Sequence, residues 1–575
     1  MKTIFGIDLG TTNSCISRLN QGKPEVISIH GSLLVPSVVS FDPAETIVGS
    51  RAKNREVLHP ETTVSSVKRI MGTSEKIIIQ EREYTPEDIS SYILEYLKNQ
   101  AGEICQEEVE SVVITVPAYF TDAQRRSTQK AGEAAGLKVE RIINEPTAAS
   151  LFYNHMDSAQ RSDKSESLVL VYDLGGGTFD VSVLRLGELS EVLASTGNTR
   201  LGGDDFDQAI VNLCLEQIMQ NHGTDLRQYR PALARLKDAA EKAKITLSSH
   251  PFTTIQETLI PNPANHDIDL SLEITRDEFQ SMIFPYLQTT RKEMDRALQE
   301  ASLSAGDIDS VLLVGGSTRI PAVTALLEEY FGPSCMPPVD PDLSVAKGAA
   351  IQGGIISGSH IQQVLIDVNP HTLSTEVLEN IENMRLKCVP IIPRNTQIPV
   401  TRSELFYTVI PYQRLVRVGV YQGESRVPEE NTQIGALDLQ LSPSPAGTPV
   451  QIEYSYDLNG IIRVRVEQKG YSVKREVDLD SSRQNQMFLV VDMESEPDME
   501  DDFEETPFQE QQTTNYILHK ARGILEGLSD EARKNTLSSL IKHYETSLQR
   551  DDEDAVDEAE EALVDYMDEL QDREE

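Results

Sequence analysis

The sequence predicts a multidomain chain: a duplicated α/β unit, then a β-sandwich, then a short α-helical segment. Three observations predict it. A glycine-rich hairpin pattern occurs at residues 4–16 and again at 168–184. Short alternating strands fill residues 368 to about 480, and helical spacing follows from 513.

The second hairpin is the clearer copy. An apolar run, Leu168 to Tyr172, ends in Asp173. Leu174, Gly175, Gly176, Gly177 and Thr178 follow, and Phe179, Val181 and Val183 begin a second alternating run. That order reads as strand, tight turn, antiparallel strand. Consecutive glycines let the backbone approach a ligand and turn successive N–H groups the same way, which makes a concavity for phosphate. Asp173 and Asp180 would repel a bare phosphate, so a hydrated divalent cation is expected between them and a nucleotide. A plain Gly-rich hairpin is the simpler explanation of this stretch alone. The first copy argues against it: Ile7, Asp8, Leu9, Gly10, Thr11, Thr12 and Asn13 repeat the order of apolar strand, acid, glycine, threonine and strand. Two such hairpins imply halves that clamp a nucleotide between them.

At 575 residues the chain can hold two or more domains and a large core. Its 52 basic and 92 acidic residues leave a net charge of −40, which excludes nucleic acid and anionic membranes as natural partners. Five cysteines, an odd number with no CxxC pair, fit a reducing compartment. Met1-Lys2-Thr3 leads straight into the first strand, and no apolar run approaches the roughly 20 residues that span a bilayer. A soluble, monomeric, cytoplasmic protein is expected.

In chain order, strand signals follow at residues 26–29, 35–41 and 44–49. Ser65 to Gly72 reads as a short helix carrying Lys68, ordinary surface on its own but a candidate γ-phosphate contact beside two phosphate loops. Ile89, Ile93, Leu94 and Leu97 space an amphipathic helix over 86–106, a strand occupies 111–118, and Thr121 caps the next helix. Glu145 ends an apolar strand and precedes a proline suited to a first helical turn; there it can hold a water or a metal, or simply cap the helix.

These motifs, with Asn144-Glu145-Pro146-Thr147-Ala148-Ala149 and Leu312-Leu313-Val314-Gly315-Gly316-Ser317-Thr318-Arg319-Ile320-Pro321, resemble the 70-kDa heat-shock (DnaK-like) chaperone family over about residues 1 to 480. The resemblance implies an actin-like duplicated ATPase at 1–360 that binds ATP or ADP with Mg2+, potassium being a further cation. By the same resemblance Thr11, Thr12 and Asn13 hold phosphates, and Gly175, Gly176 and Gly177 form the second phosphate loop. Lys68 and Glu145 flank the hydrolytic water, Thr178 lies near the γ-phosphate, and Asp8 and Asp173 hold the water shell of the magnesium. Phosphoryl transfer needs positioning and charge neutralisation more than covalent chemistry, which agrees with this allocation. The loop Arg200 to Asp207 resembles the family's next nucleotide contact, through Gly202, Gly203 and Asp204. Glu241, Lys244 and Ser248 share a helix face by their spacing; the resemblance gives that face to the adenosine, with Gly315, Gly316, Ser317, Arg319 and Asp342 closing the pocket. The run Gly348 to Gly354 is expected to end the last ATPase helix.

Val364, Leu365, Ile366 and Asp367 form an apolar tetrad closed by an acid, odd for a passive connection; the resemblance makes 361–367 the interdomain linker that docks on the ATPase. Residues 368–491 are expected to be a β-sandwich binding extended apolar peptides through main-chain hydrogen bonds and one pocket. Val416 and Val420 fall in that pocket, Val409 on an arch over the peptide, and Leu378 or Met384 on the opposite arch. Acids dominate the linker at 492–512, and 513–575 read as a shortened helical lid with an acidic C-terminus. The short lid resembles HscC-type bacterial paralogues and predicts fast peptide exchange. Partners implied are unfolded or extended polypeptide clients, a J-domain co-chaperone and a nucleotide-exchange factor. Two rivals remain at this stage. An actin-like filament protein would fit the hairpins but not the linker or β-domain. A sugar kinase would need a substrate-side base that is not evident.

Overall fold

The computed structural model describes residues 2–157, 166–187, 189–262, 267–359, 361, 364–380 and 385–479, with 518, 521, 522, 524, 525, 531–547, 559, 562, 563, 566 and 567 near the C-terminus. The expected acidic linker at 492–512 and the arch candidate Met384 lie outside the described residues.

The duplication is visible in the sheets. In the first half, strand Ile4–Asp8 lies between Ser111–Val116, parallel to it, and its antiparallel hairpin partner Asn13–Asn20; Lys138–Asn144 and Lys23–Val26 flank them. In the second half, Ser167–Leu174 lies between the parallel strand Ser310–Val314 and its antiparallel hairpin partner Phe179–Leu186, and Leu189–Asn198 extends the sheet. The central strands read as near-continuous apolar runs because both faces are buried; every residue of Ser111–Val116 is inside.

Helix Ser344–Ile356 packs on the first half, against strands Ile4–Asp8 and Asn13–Asn20 and the helix Glu145–Asp157. The small-residue run Gly348 to Gly354, expected at this helix's end, lies within it. The reason is packing: a Cβ on Gly348 would stand 1.7 Å from the Ala148 carbonyl oxygen, so only glycine admits the neighbouring helix this closely. Three further expectations are corrected. The helix around Lys68 is a single 3-10 turn, Val67–Ile70, entered through left-handed Ser66 at φ 55°. The loop Arg200 to Asp207 becomes helix at Gly203, where Gly203–His222 begins. The strand expected over 402–411 is Val400–Tyr407, because Pro411 and left-handed Tyr412 turn the chain away.

Residues 373–478 form two four-stranded sheets, one pairing Arg385–Ile392, Leu373–Asn380, Leu415–Gln422 and Thr432–Gln440, the other Val400–Tyr407, Pro449–Tyr456, Ile462–Gln468 and Val473–Asp478. Strict alternation in Pro449–Tyr456 and Ile462–Gln468 puts Val450, Ile452, Tyr454, Val464 and Val466 in the core between them. Strands Leu373–Asn380 and Leu415–Gln422 pair only from Leu373–Gln422 to Thr375–Val420, and beyond that point the ladder stops. Helix Glu531–Ser547 contributes Leu537, Ile541 and Tyr544 to an apolar cluster with Leu518, Ala521, Ala559, Leu563 and Met567. Among the described residues no helix is long and apolar enough to cross a membrane.

Candidate functional site

The two hairpin tips meet at the cleft. A Cβ on Gly176 would collide with Thr12 Oγ1, and one on Gly202 would stand 2.5 Å from the Gly176 carbonyl carbon. The second tip is held by the helix that begins at Gly203: Gly203 N and Asp204 N donate to the Gly175 and Gly176 carbonyls at 2.9 and 2.8 Å, and Ser317 Oγ donates to Gly175 O at 2.9 Å. Residues of the two halves also clasp across the cleft. Ser66 Oγ donates to Asp204 Oδ2 at 2.6 Å, Arg69 forks onto both oxygens of Asp205 at 2.9 and 2.8 Å, and Lys53 pairs with Glu241 at 2.9 Å. Lys53, Arg69 and Asp205 were not singled out in the sequence; Lys53 and Arg69 look like ordinary surface cations there.

Inside the cleft, three buried carboxylates, Glu145, Asp173 and Asp180, and the half-buried Asp8 surround one buried ammonium. Lys68 Nζ donates to Glu145 Oε1 at 2.5 Å and lies 5.7 Å from the centre of the Phe120 ring. Burial pulls the Lys68 amine down, but Glu145 and Asp8 together push it above its ordinary range. Asp8, held by Thr115 Oγ1 at 3.1 Å, is pushed up to about 7 by burial and then by the Glu145 charge. Asp180, held by Tyr119 N–H at 2.9 Å, is likewise pushed up to about 7 by burial and Glu145. Burial and the charges of Glu145, Asp180 and Asp8 raise Asp173 well above the carboxylate range, and its Oδ2 has no hydrogen-bond partner. Carboxylates outnumber the cation here, and one of their oxygens is orphaned, a surplus of negative charge that a hydrated divalent cation would offset; among the described residues no three acids stand close enough to ligate a metal directly. Thr178 is buried beside them, and the register pairs Asp173 with Asp180 across the hairpin.

On the other side of the cleft, Glu241, Lys244 and Ser248 are half-buried on one face of Arg230–Ser249. Lys244 Nζ reaches Asp207 Oδ2 at 2.8 Å and Gly203 O at 3.2 Å. Asp207, pushed up to about 6 by burial, was missed; its signal is the acid four residues past Gly203, on the same helix face. Arg319 forks onto Asp342 at 2.6 and 3.0 Å beside Gly316.

The chain 364–368 is a strand docked on the edge of the second half's sheet. Val364–Val368 pairs in parallel with Leu189–Asn198 through Leu189 to Glu191, and antiparallel with Gln397–Ile398. Asp367 Oδ2 accepts from Asn144 Nδ2 and Thr147 Oγ1, both at 2.9 Å. The sandwich follows it onto the same surface. Gln422 accepts from Asp122 N, Asn459 from Ile142 N at 3.3 Å, and Arg394 pairs with Glu300 at 2.5 Å.

The family model for the Hsp70 protein matches residues 4–574. The chain belongs to the Hsp70 family. It is similar to the chaperone protein DnaK of Thermotoga petrophila, 46% identical over 478 residues that cover 81% of this chain and 78% of that protein. DnaK of Thermotoga maritima gives the same figures, and DnaK of Thermotoga neapolitana is 45% identical over the same length and shares.

In this Hsp70 the residues expected around the peptide separate into two groups. Val409, on the loop after Tyr407, is 49% exposed, and Val416 and Leu378 are half-buried on the two strands that part beyond Thr375 and Val420. Val420 is different: it is fully buried in the sandwich core, with no surface to offer a peptide in this arrangement. Strand alternation alone does not tell a pocket residue from a core residue, because both faces here are apolar.

Proposed function

We propose that the cleft is the ATPase centre, and that the docked strand and sandwich are its peptide-releasing output. Membership of the Hsp70 family makes the chain an ATP-dependent chaperone of unfolded polypeptides, an ATPase using ATP or ADP with Mg2+, and a partner of co-chaperones. The finer reading is ours. Thr11, Thr12, Asn13, Gly175, Gly176 and Gly177 receive the phosphates, Asp8 and Asp173 hold the magnesium through water, and Lys68 with Glu145 orients the attacking water. Bound magnesium supplies neutralisation of phosphate charge. The Lys68 ammonium points a fixed positive charge into the cleft, and Glu145 accepts a proton or a hydrogen bond from the water. Thr178 completes the shell of the γ-phosphate. Gly202, Gly203, Asp204, Glu241, Lys244, Ser248, Gly315, Gly316, Ser317, Arg319 and Asp342 enclose the rest of the nucleotide. Potassium is a second cation for the acidic cluster.

In this reading 1–360 is the ATPase, 361–367 the linker, 368–491 the peptide domain, with Val409, Val416 and Leu378 as peptide contacts, and 513–575 a short lid beyond an acidic connection. A J-domain protein and an exchange factor are the co-chaperones, in a cytoplasmic setting. The observation that carries the proposal is the Asp367 contact: Asp367 is bound to Asn144, the residue next to Glu145, so the linker is anchored one residue from the catalytic pair. The test is the affinity of a fluorescent apolar peptide with ATP and with ADP. Weaker binding with ATP supports the coupling, whereas equal binding in the two states would sink it.

A further inference from the structure

Between the ATPase and the sandwich, His371 meets a segment that serves the cleft. Its Nε2 donates to the Tyr119 carbonyl oxygen at 3.1 Å, and its ring leans on the Tyr119 ring with centres 4.2 Å apart. Tyr119's own N–H is the donor to Asp180, and its neighbour Phe120 carries the ring beneath Lys68. Arg125 grips the same segment from the ATPase side, donating to the Ala118 and Phe120 carbonyls at 2.9 and 3.2 Å and to Asn144 Oδ1 at 2.6 Å. One residue, Tyr119, therefore separates the His371 side chain from a carboxylate of the cleft.

We propose that His371 is a positioning residue of the ATPase centre and a proton-sensitive clasp: as a neutral imidazole it holds Tyr119 and the docked sandwich, and on taking up a proton it lets the sandwich go. The hydrogen bond does not itself select the neutral form, since an imidazolium would also donate through Nε2. The surroundings select it. Water is stripped from the ring, which is the largest effect, and the Arg125 and Arg296 guanidiniums also oppose a new positive charge; the Tyr119 carbonyl and then Glu424 favour one and are outweighed. Each acid facing the site is already engaged. Glu424 accepts from Thr372 N at 3.0 Å and Thr372 Oγ1 at 2.6 Å and faces Arg394 at 3.8 Å, and Glu300 pairs with Arg394 and with Arg296 at 2.5 and 2.9 Å. Glu293 lies 3.9 Å from Arg296, and the Tyr119 phenol is raised by burial, so neither brings an uncommitted negative charge.

The docked imidazole is lowered from 6.5 to about 4, by loss of water first. A group depressed in the docked state favours docking above 6.5 and withdraws that support as pH falls toward 4. Linkage makes the docking constant about ten-fold smaller at pH 5.5 than at pH 7.5. Asp367, raised by burial, pushes the opposite way, so a chain without His371 should show no such loss.

The inference rests on the coupled-cycle reading, and its test separates the two. In the full chain with Mg·ATP, hydrogen exchange at 364–368, corrected for its intrinsic pH dependence, is compared with the Mg·ADP state at pH 7.5 and 5.5. The wild type and His371→Gln, which keeps an N–H donor that does not titrate, are measured together, with His371→Asn as the fallback if the first variant folds poorly. Effects of pH on the nucleotide and on the cleft acids are common to all of these chains. The expected result is about ten-fold more loss of protection on acidification in the wild type than in the variant. His371→Ala should also change kcat for ATP by about three-fold or more with KM unchanged, and His371→Gln should restore it. Equal pH responses in wild type and His371→Gln overturn the clasp, an unmoved kcat in His371→Ala overturns the positioning role, and a linker unprotected by ATP at pH 7.5 overturns the docking reading itself.

Discussion

In the cleft, Lys68, Glu145, Asp173 and Asp180 are buried and Asp8 is half-buried, and each shifts the ionisation of another. On the sandwich, Val409, Val416 and Leu378 are apolar groups at or near the surface with no polar partner to fix them. The first arrangement tolerates almost no change, because removing one charge strands the others in a low dielectric. The second is graded, since apolar contact scales with area and one methyl group more or less changes affinity by a modest factor. The docked strand lies between these extremes: apolar residues carried on backbone pairing, with the half-buried Asp367 fixing the register through Asn144 and Thr147.

The largest difference should come from Lys68→Ala. It removes the ammonium that, among the described residues, faces four carboxylates and that in the proposed mechanism orients the attacking water, so steady-state ATP turnover should fall by about 10²–10³-fold. Peptide affinity with ADP should be untouched. An ATPase rate within a few-fold of wild type would mean that Glu145 acts without its partner.

Asp367→Asn should cost about ten-fold in the ATP-induced acceleration of peptide release. The substitution places an amide N–H₂ where Oδ2 accepts from Asn144 and Thr147, so a donor faces two donors. Basal peptide affinity with ADP should stay the same, since Asp367 lies on the pairing with Gln397–Ile398 and away from Val409, Val416 and Leu378. Release measured by fluorescence after adding ATP would show whether the acid, or only the backbone pairing, carries the signal.

The cleft was the more legible of the two in the sequence, for a physical reason. Two glycine-tipped hairpins after an acid carry a fixed order of glycine and threonine, so the strand, acid and tip at Asp8, Gly10, Thr11, Asp173 and Gly175 can be read directly. Ion pairs that cross the cleft cannot: Lys53 and Arg69 meet Glu241 and Asp205 only after folding brings sequence-distant surfaces together. Strands were legible where alternation is strict, as in Pro449–Tyr456, and missed in Arg385–Ile392 and Thr432–Gln440, where polar residues interrupt it. Val420 was read as a pocket residue because a β-branched residue near the groove strand's end has the same sequence signature whether it faces a peptide or the core.

That last ambiguity gives a paired experiment. Val416→Ser exchanges a methyl-rich surface for a hydroxyl on a half-buried position, and should weaken an apolar peptide by about five-fold with ADP. Val420→Ser buries an unpaired hydroxyl in the sandwich core, and should lower the thermal stability of that domain by several degrees. If Val420→Ser weakened peptide at unchanged stability, the groove would reach deeper than this arrangement shows.

The smallest effect distinguishes the cleft by its charge. Asp8 and Asp180 stand near 7 without a cation, against 3.8 for the free side chain. The folded state therefore binds more protons than the unfolded one between about pH 4 and 7, so for these groups stability is greatest below that window and falls as pH rises through it. Nucleotide-free protein should lose a few degrees of melting temperature, about 2–4 °C, between pH 5.5 and 8 relative to a chain carrying Asp180→Asn. Saturating Mg·ADP should flatten the difference, because a divalent cation takes over the role of the protons. A melting temperature that rises with pH in the nucleotide-free wild type, or one that Mg·ADP leaves as steep as before, would show that these carboxylates stay ionised through contacts other than the cation, and the contrast with the uncharged groove would narrow.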